Sequence, residues 1–392
     1  MARLRFLLVL LLGALAVAQT QGKAPRAARF PNGLPTAPSF FPIGVWLQSP
    51  HNAARYRDLG INLYVGLYRG PTTAQLEALE AAGMQVLCQQ NEVGLAWRGK
   101  AIVGWMHGDE PDNAQGRRFD GYAPPIEPWR VVADYERMHR ADPTRPVLLN
   151  LGQGAAWDGW WGRGERCNHP EDYPEYLKGC DLASFDIYPV THTHADVRGK
   201  LEFVGRGVQR LQRWNRGEKP VWAVIETGHV DNPDARPTPA QVRAEVWQAI
   251  ACGASGIVYF AHEFQPQFVE DGLLQHDDVR QEVAAIDAEL LAAAPVLQAP
   301  RADKLVQVKV QDGGKGKAEP ELAVRVHEFE GSLHLFVASL RGEPLQATFV
   351  VPERYAKLTV SSREAGPAPK LGAGRFEVAL EAYGVRHFRL AR

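Results

Sequence analysis

The sequence has few cysteines, almost no net charge and, after its N-terminus, no long apolar run. The four cysteines in 392 residues have spacings that match no zinc-binding motif. A formal net charge of −1 at pH 7 provides no overall field that would attract nucleic acid or a membrane surface. We therefore expect a protein that binds neither, and no later segment is long and apolar enough to span a bilayer.

The cysteines divide into two pairs. Cys88 lies in an apolar strand-like segment and Cys252 in an apolar helical one, so both are expected to be buried thiols. Cys167 and Cys180 bracket a short polar loop, and in an exported protein they could form a disulfide. Two free thiols remain the alternative, because a sequence alone does not fix connectivity.

The N-terminal segment has the three parts of a secretory signal peptide. Two arginines in residues 1–5 precede the apolar run 6–17, and Ala16-Val17-Ala18 supplies the small-x-small pattern. The apolar run is shorter than the roughly 20 residues that a membrane span needs, which disfavours an anchor. We predict a signal peptide over 1–18, an N-terminal extension over 19–39, and a secreted or periplasmic protein.

Between residues 40 and 298, eight short apolar segments alternate with helical patterns. The segments are Phe41–Trp46, Ile61–Gly66, Met84–Gln89, Ile102–His107, Pro146–Leu151, Leu182–Tyr188, Val221–Ile225 and Gly256–Ala261. Near-continuous apolarity is typical of parallel strands that are covered on both faces. No glycine-rich phosphate fingerprint follows the first segment. Eight units therefore favour an α/β fold of the (β/α)₈ TIM-barrel type over a doubly wound sheet.

The pattern changes after the last barrel helix, which we expect over Asp278–Ala294 with its end at Pro295. Short alternating segments without helices then predict a small all-β sandwich over 299–392. This region shows no residue cluster that would carry chemistry. An accessory domain packed against the barrel is favoured over a sugar-binding module.

Two glutamates follow closely after the fourth and seventh predicted strands. Glu110 stands in Gly108-Asp109-Glu110-Pro111, and Glu226 follows Val221–Ile225. Barrel enzymes carry their catalytic residues at the carboxyl ends of the strands. Acetal hydrolysis needs two carboxyl groups, one to protonate the leaving oxygen and one to attack or shield the developing cation. The positions of Glu110 and Glu226 thus predict a glycoside hydrolase in which both face one pocket.

At these residues the chain resembles clan A, the large group of retaining β-glycosidases built on a (β/α)₈ barrel. The resemblance implies Glu110 as acid/base and Glu226 as nucleophile of a retaining double displacement on an oligo- or polysaccharide. It also implies carboxyl groups about 5–5.5 Å apart. Asp109 departs from the pattern, since clan members usually have an asparagine there that binds the 2-hydroxyl group. A specific family is not identified.

Further polar and aromatic residues follow the predicted strands at the same end of the barrel. Amides and carboxylates suit sugar hydroxyls, and indole rings stack on the apolar faces of sugars. The predicted substrate-binding residues are Asp109, Asn150, Asp186, Tyr188, Trp46, Gln89, Trp157, Trp160 and His262. The alternative role for each of them is structural, either packing in the core or hydrogen bonding to backbone groups. Glu263 is the rival candidate for a catalytic carboxylate.

Other classes of function remain open. The chain could be a catalytically inactive barrel that binds carbohydrate, or a lyase or transglycosidase. It could also be a metal-dependent hydrolase that uses His107, Asp109, Glu110 and Asp112, although an oxygen-rich cluster with one histidine is weak evidence for zinc. We expect a monomer that acts on carbohydrate without a metal or other cofactor.

Overall fold

The computed structural model describes residues 29–117, 121–311, 320–364 and 368–392. The predicted signal peptide, and the predicted extension up to residue 28, lie outside the described residues. Within those ranges no helix combines the length and the apolar composition needed to cross a membrane.

Eight parallel strands form a closed barrel, which confirms the predicted fold. The first strand pairs with both the second and the eighth, and these pairings close the sheet. The strands are β1 Ile43–Trp46, β2 Leu63–Val65, β3 Gln85–Gln89, β4 Ile102–Met106, β5 Val147–Leu151, β6 Leu182–Phe185, β7 Val221–Glu226 and β8 Ile257–Phe260. Each strand lies inside its predicted segment, except that β7 continues one residue further, to Glu226.

Alternate residues of each barrel strand pack into two different hydrophobic clusters. In β7, Trp222 and Val224 belong to a cluster without any helical residue, which fills the barrel lumen. Ala223 and Ile225 belong to the larger cluster that also contains helix residues such as Val246. Both faces of each strand are thus covered by apolar groups, and this explains the unbroken apolar runs in the sequence.

Two of the helices around the barrel begin with a capping box. The Thr72 side chain accepts from the N–H of Gln75, and the Gln75 side chain accepts in return from the N–H of Thr72 at 3.0 Å. Thr238 and Gln241 repeat this capping box. The helices are α1 Ala53–Asp58, α2 Thr73–Ala81, α3 Glu92–Ala96, α4 Pro128–Ala141, α5 Tyr173–Tyr176, α6 Glu202–Trp214, α7 Pro239–Ala251, α8 Gly272–Gln275 and α9 Asp277–Gln298.

Helix α9 continues past Pro295, so the predicted end at that residue is wrong. A proline inside a helix removes the hydrogen bond to the carbonyl four residues earlier. Here the residues around it, Ala294, Val296 and Leu297, are buried against the core. Arg325 also donates to the carbonyl of Leu297 at 3.0 Å. Apolar burial and this bond stabilise a last turn that local propensity disfavours.

A β domain follows the barrel and consists of two antiparallel sheets. Its strands are β9 Gln307–Gln311, β10 Leu322–Phe329, β11 Ser332–Ser339, β12 Leu345–Val350, β13 Thr359–Ser362, β14 Arg375–Leu380 and β15 Val385–Ala391. The sheet orders are β9-β12-β14 and β10-β11-β15-β13. Phe336 of this domain stacks on Trp247 of α7 with ring centroids 5.8 Å apart, so the domain packs on the helix layer of the barrel.

All four cysteines are free thiols. Cys88 and Cys252 are buried, as predicted. The possible disulfide between Cys167 and Cys180 is not formed. Cys180 is buried with its Sγ directed at the carbonyl of Leu177, whereas Cys167 is half-exposed and its Sγ faces the carbonyl of Asp158.

Candidate active site

A cleft of about 900 Å³ is lined by side chains from the carboxyl ends of the barrel strands and the loops that follow them. Its volume lies within the range of small-ligand sites. Among the predicted site residues, those that line it are Trp46, Asp109, Glu110, Trp160, Asp186, Tyr188 and His262. They follow strands β1, β4, β5, β6 and β8, so the closed sheet brings together residues that are distant in the sequence.

Glu110 lies in a strained loop after β4. Its φ angle of +43° falls in the left-handed region that non-glycine residues seldom occupy. Asn113 donates from Nδ2 to Glu110 Oε2 at 2.7 Å, and the N–H of Asn113 donates to the Glu110 carbonyl at 3.0 Å. Strained backbone of this kind is concentrated at functional sites. The loop thus holds the Glu110 carboxyl in a fixed orientation in the cleft.

The carboxyl groups of Glu110 and Asp186 are in hydrogen-bonding contact. Burial, followed by the adjacent negative charge of Asp186, raises the pKa of Glu110 well above its usual value. Burial also raises the pKa of Asp186 to about 7, although the hydrogen bonds from Glu110 and Tyr188 oppose this shift. Two carboxylates in contact cannot both be ionised, so Glu110 carries the proton and Asp186 accepts it.

The second oxygen of Asp186 is bound by a neighbouring phenol. The hydroxyl of Tyr188 donates to Asp186 Oδ2 at 3.1 Å. Tyr188 itself lines the cleft, and its hydroxyl is directed to Asp186. Because residues 186 and 188 are two apart on the same segment, both side chains point to the cleft.

Asp109 is oriented by a short chain of hydrogen bonds. Asn150 donates from Nδ2 to Asp109 Oδ1 at 2.9 Å, and the Ser184 hydroxyl donates to Asn150 Oδ1 at 2.7 Å. Asn150 is buried and is not among the residues that line the cleft. It therefore supports Asp109, which does line the cleft, rather than facing the space that a substrate would occupy.

The structure does not place Glu226 in the cleft lining. Its side chain is fully buried at the end of β7. Oε1 accepts from the N–H of Val190 at 2.6 Å, and Oε2 accepts from the N–H and the hydroxyl of Thr191 at 3.0 and 2.7 Å. The expectation that Glu110 and Glu226 face one pocket is therefore not met, because the turn after β6 binds the Glu226 carboxylate. Its catalytic role stays a prediction.

A second buried carboxyl group contacts Glu226. Glu245 of α7 is fully buried, and none of the described residues donates a hydrogen bond to either of its oxygens. Burial and the neighbouring Glu226 charge raise the pKa of Glu245 well above its usual value, whereas burial raises that of Glu226 to about 7. Since donors surround Glu226 and not Glu245, Glu245 is the neutral partner at neutral pH.

Two further predicted residues lie outside the cleft lining. Gln89 ends β3 half-buried, with its Oε1 unpartnered. Trp157 is buried among other rings, with Trp161 at 5.5 Å and His194 at 5.0 Å between centroids. The prediction that Trp157 contacts substrate is corrected, because it packs the loop that presents Trp160.

Trp160 combines a position in the cleft with a link to the Glu110 loop. Its indole Nε1 donates to Asn113 Oδ1 at 2.8 Å, and Asn113 in turn binds Glu110. Of the three neighbouring tryptophans, Trp160 is therefore the one whose position fits the predicted sugar platform.

The rival carboxylate Glu263 binds two histidine residues outside the cleft lining. Its Oε1 accepts from the N–H of His229 at 3.1 Å and contacts Nε2 of His276 at 2.7 Å. Glu263 does not line the cleft. Its contacts indicate that it anchors the loops after β7 and β8.

Several cleft residues escaped the sequence analysis. Glu270 and Gln153 add polar groups, and Phe264 and Phe268 add exposed rings. Phe264 and Phe268 follow soon after the end of β8. Their closeness to a predicted strand end could therefore have identified them as cleft candidates. The others depend on loop conformation and carry no local pattern.

His107 and Asp112, two residues of the alternative metal site, have other partners. His107 contacts Asp134 through Nδ1 at 3.1 Å and the carbonyl of Gly179 through Nε2 at 2.8 Å. Asp112 is buried and accepts from the N–H of Gly152 and the hydroxyl of Tyr173. In the parts of the chain described above, no group of three histidine, cysteine or acidic side chains has a metal-binding arrangement.

A family model matches part of the chain. The model of glycoside hydrolase family 42, described as β-galactosidase, matches residues 131–292. This segment is less than half of the chain; it contains Asp186 and Glu226 but not Glu110. No curated protein sequence matches significantly.

Solved structures share the barrel. A variant of AmyP in complex with maltotriose is 10% identical, with 90% of this chain and 97% of that chain covered and a TM-score of 0.51. A protein of Bacteroides fragilis NCTC 9343, provisionally described as an α-galactosidase, is 10% identical, with 90% and 80% covered and a TM-score of 0.53. At this identity the likeness shows the fold. The family match over residues 131–292 agrees with the resemblance to clan A glycoside hydrolases and supports a glycosidase.

Proposed function

We propose that the chain hydrolyses an O-glycosidic bond in the cleft, with Glu110 as the proton donor. The observation that carries this proposal is the contact between Glu110 and Asp186. A general acid must still hold its proton at the working pH, and burial beside a second carboxylate is the established way to keep a glutamate protonated. Around this pair the cleft offers carboxylates and amides that suit sugar hydroxyls.

The finer proposal is a retaining double displacement on β-glycosidic bonds of an oligo- or polysaccharide, with Glu226 as nucleophile. Its support is the position of Glu226 at the end of β7, together with the clan resemblance. For attack, the Glu226 carboxylate must leave Val190 and Thr191 and turn into the cleft. Asp186 is the second carboxylate that already lies there, and it is the alternative partner of Glu110.

We also propose that the protein is exported to the periplasm or the medium. The support is the signal-peptide pattern of residues 1–18. N-terminal sequencing of the protein recovered from the native host would test this, with a start at Gln19 as the expected result.

The test of activity is hydrolysis of a panel of aryl β-glycosides and of plant, algal and bacterial polysaccharides, before and after Glu110→Gln. We expect the wild type to release reducing sugar from at least one substrate. The variant should lose most activity on substrates with poor leaving groups, because these need protonation. Glu77→Gln, at an exposed position on α2, is the matched control. Equal activity of Glu110→Gln and Glu77→Gln would refute the role of Glu110. NMR of the first-formed anomer decides between retention and inversion.

A further inference from the structure

The loop after β8 carries two exposed phenylalanine rings on the edge of the cleft. Residues 264–268 form the tip of a hairpin closed by Glu263 and Val269, which exchange two backbone hydrogen bonds of 2.9 Å. Phe264 is 47% exposed and Phe268 is 62% exposed, and both line the cleft. We call these two residues the aromatic rim.

The aromatic rim is a packed structure rather than two independent side chains. The rings of Phe264 and Phe268 lie 5.8 Å apart at an interplanar angle of 29°. His262 stacks on Phe264 at 6.2 Å and 6°, and on Phe268 at 5.8 Å and 25°. Phe260 supports Phe264 at 5.9 Å. The rings therefore continue the wall of the cleft outward as one apolar surface.

The two parts of the cleft differ in chemistry. The carboxyl groups of Asp109, Glu110 and Asp186 lie close together, and they suit hydroxyl groups. The aromatic rim has no hydrogen-bonding atom in its phenyl rings, so it offers nothing to a hydroxyl group and binds by covering apolar surface and by ring stacking. Exposed apolar surface that continues a ligand cleft indicates an apolar part of the ligand.

We propose that the aromatic rim binds an aromatic aglycone, so that the preferred substrates are glycosides of an aromatic alcohol rather than unsubstituted sugar chains. This inference rests on the proposed function, since it assigns the sugar to the carboxyl groups and the aglycone to the rim. The aglycone ring stacks on Phe264 or Phe268 while the glycosidic oxygen faces Glu110.

The test compares phenyl and methyl glycosides of one sugar on the wild type and on the double variant Phe264→Ala/Phe268→Ala. We expect the kcat/KM of the phenyl glycoside to fall about tenfold, the effect of losing one aromatic stacking contact, and that of the methyl glycoside to change less than twofold. Phe264→Leu/Phe268→Leu keeps apolar bulk without rings and should show most of the same loss. Tyr122→Ala removes an exposed ring that does not line the cleft and is the matched control.

Binding of non-hydrolysable phenyl and methyl thioglycosides, measured by calorimetry, separates this inference from the proposed function. Tighter binding of the phenyl compound that disappears in the double variant supports the rim even if no glycoside is cleaved. An equal loss for phenyl and methyl compounds, or a loss confined to unsubstituted oligosaccharides, would overturn it. The second outcome would make the rim a platform for another sugar.

Discussion

Glu110 and Asp186 share a hydrogen bond in the cleft although they follow different strands, β4 and β6. Each carboxyl also has its own donor: Asn113 for Glu110 at 2.7 Å and Tyr188 for Asp186 at 3.1 Å. These donors leave one oxygen of each carboxyl free to face the other. The two carboxyl groups therefore titrate as a unit.

Asp186→Asn should shift the pH dependence of activity. The groups that act electrostatically on Glu110 are Asp109, Asp112, Asp186 and the neutral Tyr188. Replacing Asp186 by an amide removes the nearest negative charge, so the pKa of Glu110 falls and its proton is lost at lower pH. The alkaline limb of the kcat/KM profile should move down by about one pH unit, measured with an activated aryl glycoside.

The control for this change is Asp196→Asn, an exposed position in the loop after β6, whose profile should match the wild type. An unchanged alkaline limb in Asp186→Asn would show that Asp186 does not hold the proton on Glu110. Complete loss of activity that azide restores would assign Asp186 as the nucleophile.

Glu226→Ala tests the nucleophile directly. If Glu226 turns into the cleft and attacks the sugar, the variant should lose turnover by at least about a thousandfold. Azide should restore cleavage of an activated glycoside and give a glycosyl azide of inverted configuration, which NMR identifies. Thr191→Val removes one of the donors to Glu226 and should retain measurable activity.

Substantial activity in Glu226→Ala, with an unchanged fold by circular dichroism, would contradict the nucleophile role. Glu226 would then serve to hold the turn at Val190 and Thr191. In that case the carboxylate required beside Glu110 would be Asp186.

The sequence was sufficient to predict the barrel because each strand is covered on both faces, which produces a local apolar run. It also located Glu110, since a carboxylate directly after such a run lies at the catalytic face of a barrel. The orientation of Glu226 could not be predicted in the same way. It depends on backbone N–H groups of residues 190 and 191, which are 35 residues away or more and which have no side-chain signature.

The missed features have the same physical origin. Whether Trp157 or Trp160 faces the cleft depends on how one irregular loop folds, and the segment Trp-Asp-Gly-Trp-Trp-Gly has no period that separates them. The end of α9 was misplaced because buried contacts of Val296 and Leu297 override the local effect of Pro295.

Glu245→Gln should stabilise the protein, and more so at high pH. The pKa of Glu245 is higher in the folded state than in the unfolded chain. Glu245 therefore does not weaken folding at a pH below its unfolded-state pKa, and it destabilises the fold progressively as the pH rises toward its folded-state pKa. The amide of the Glu245→Gln variant does not ionise, so this loss of stability does not occur. The amide can also donate a hydrogen bond to Glu226, which a carboxyl group can do only when it is protonated. The melting temperature should rise at pH 8 and change little at pH 4.5, as measured by calorimetry. Glu77→Gln should show no such difference, and a lower melting temperature at pH 8 would refute the explanation.

Trp157→Ala and Trp160→Ala should separate stability from substrate binding. Trp157 is buried among aromatic rings, so its removal leaves a cavity and should cost about 3–5 kcal/mol of unfolding free energy, with a small change in KM. Trp160 lines the cleft and donates to Asn113, so its removal should raise KM and, by releasing the Glu110 loop, lower kcat. Trp160→Phe keeps a ring but loses the N–H, and it should recover KM more than kcat. Thermal unfolding and steady-state kinetics measure both quantities on the same preparations. A larger KM effect from Trp157→Ala than from Trp160→Ala would show that the sugar platform is the residue that the structure buries.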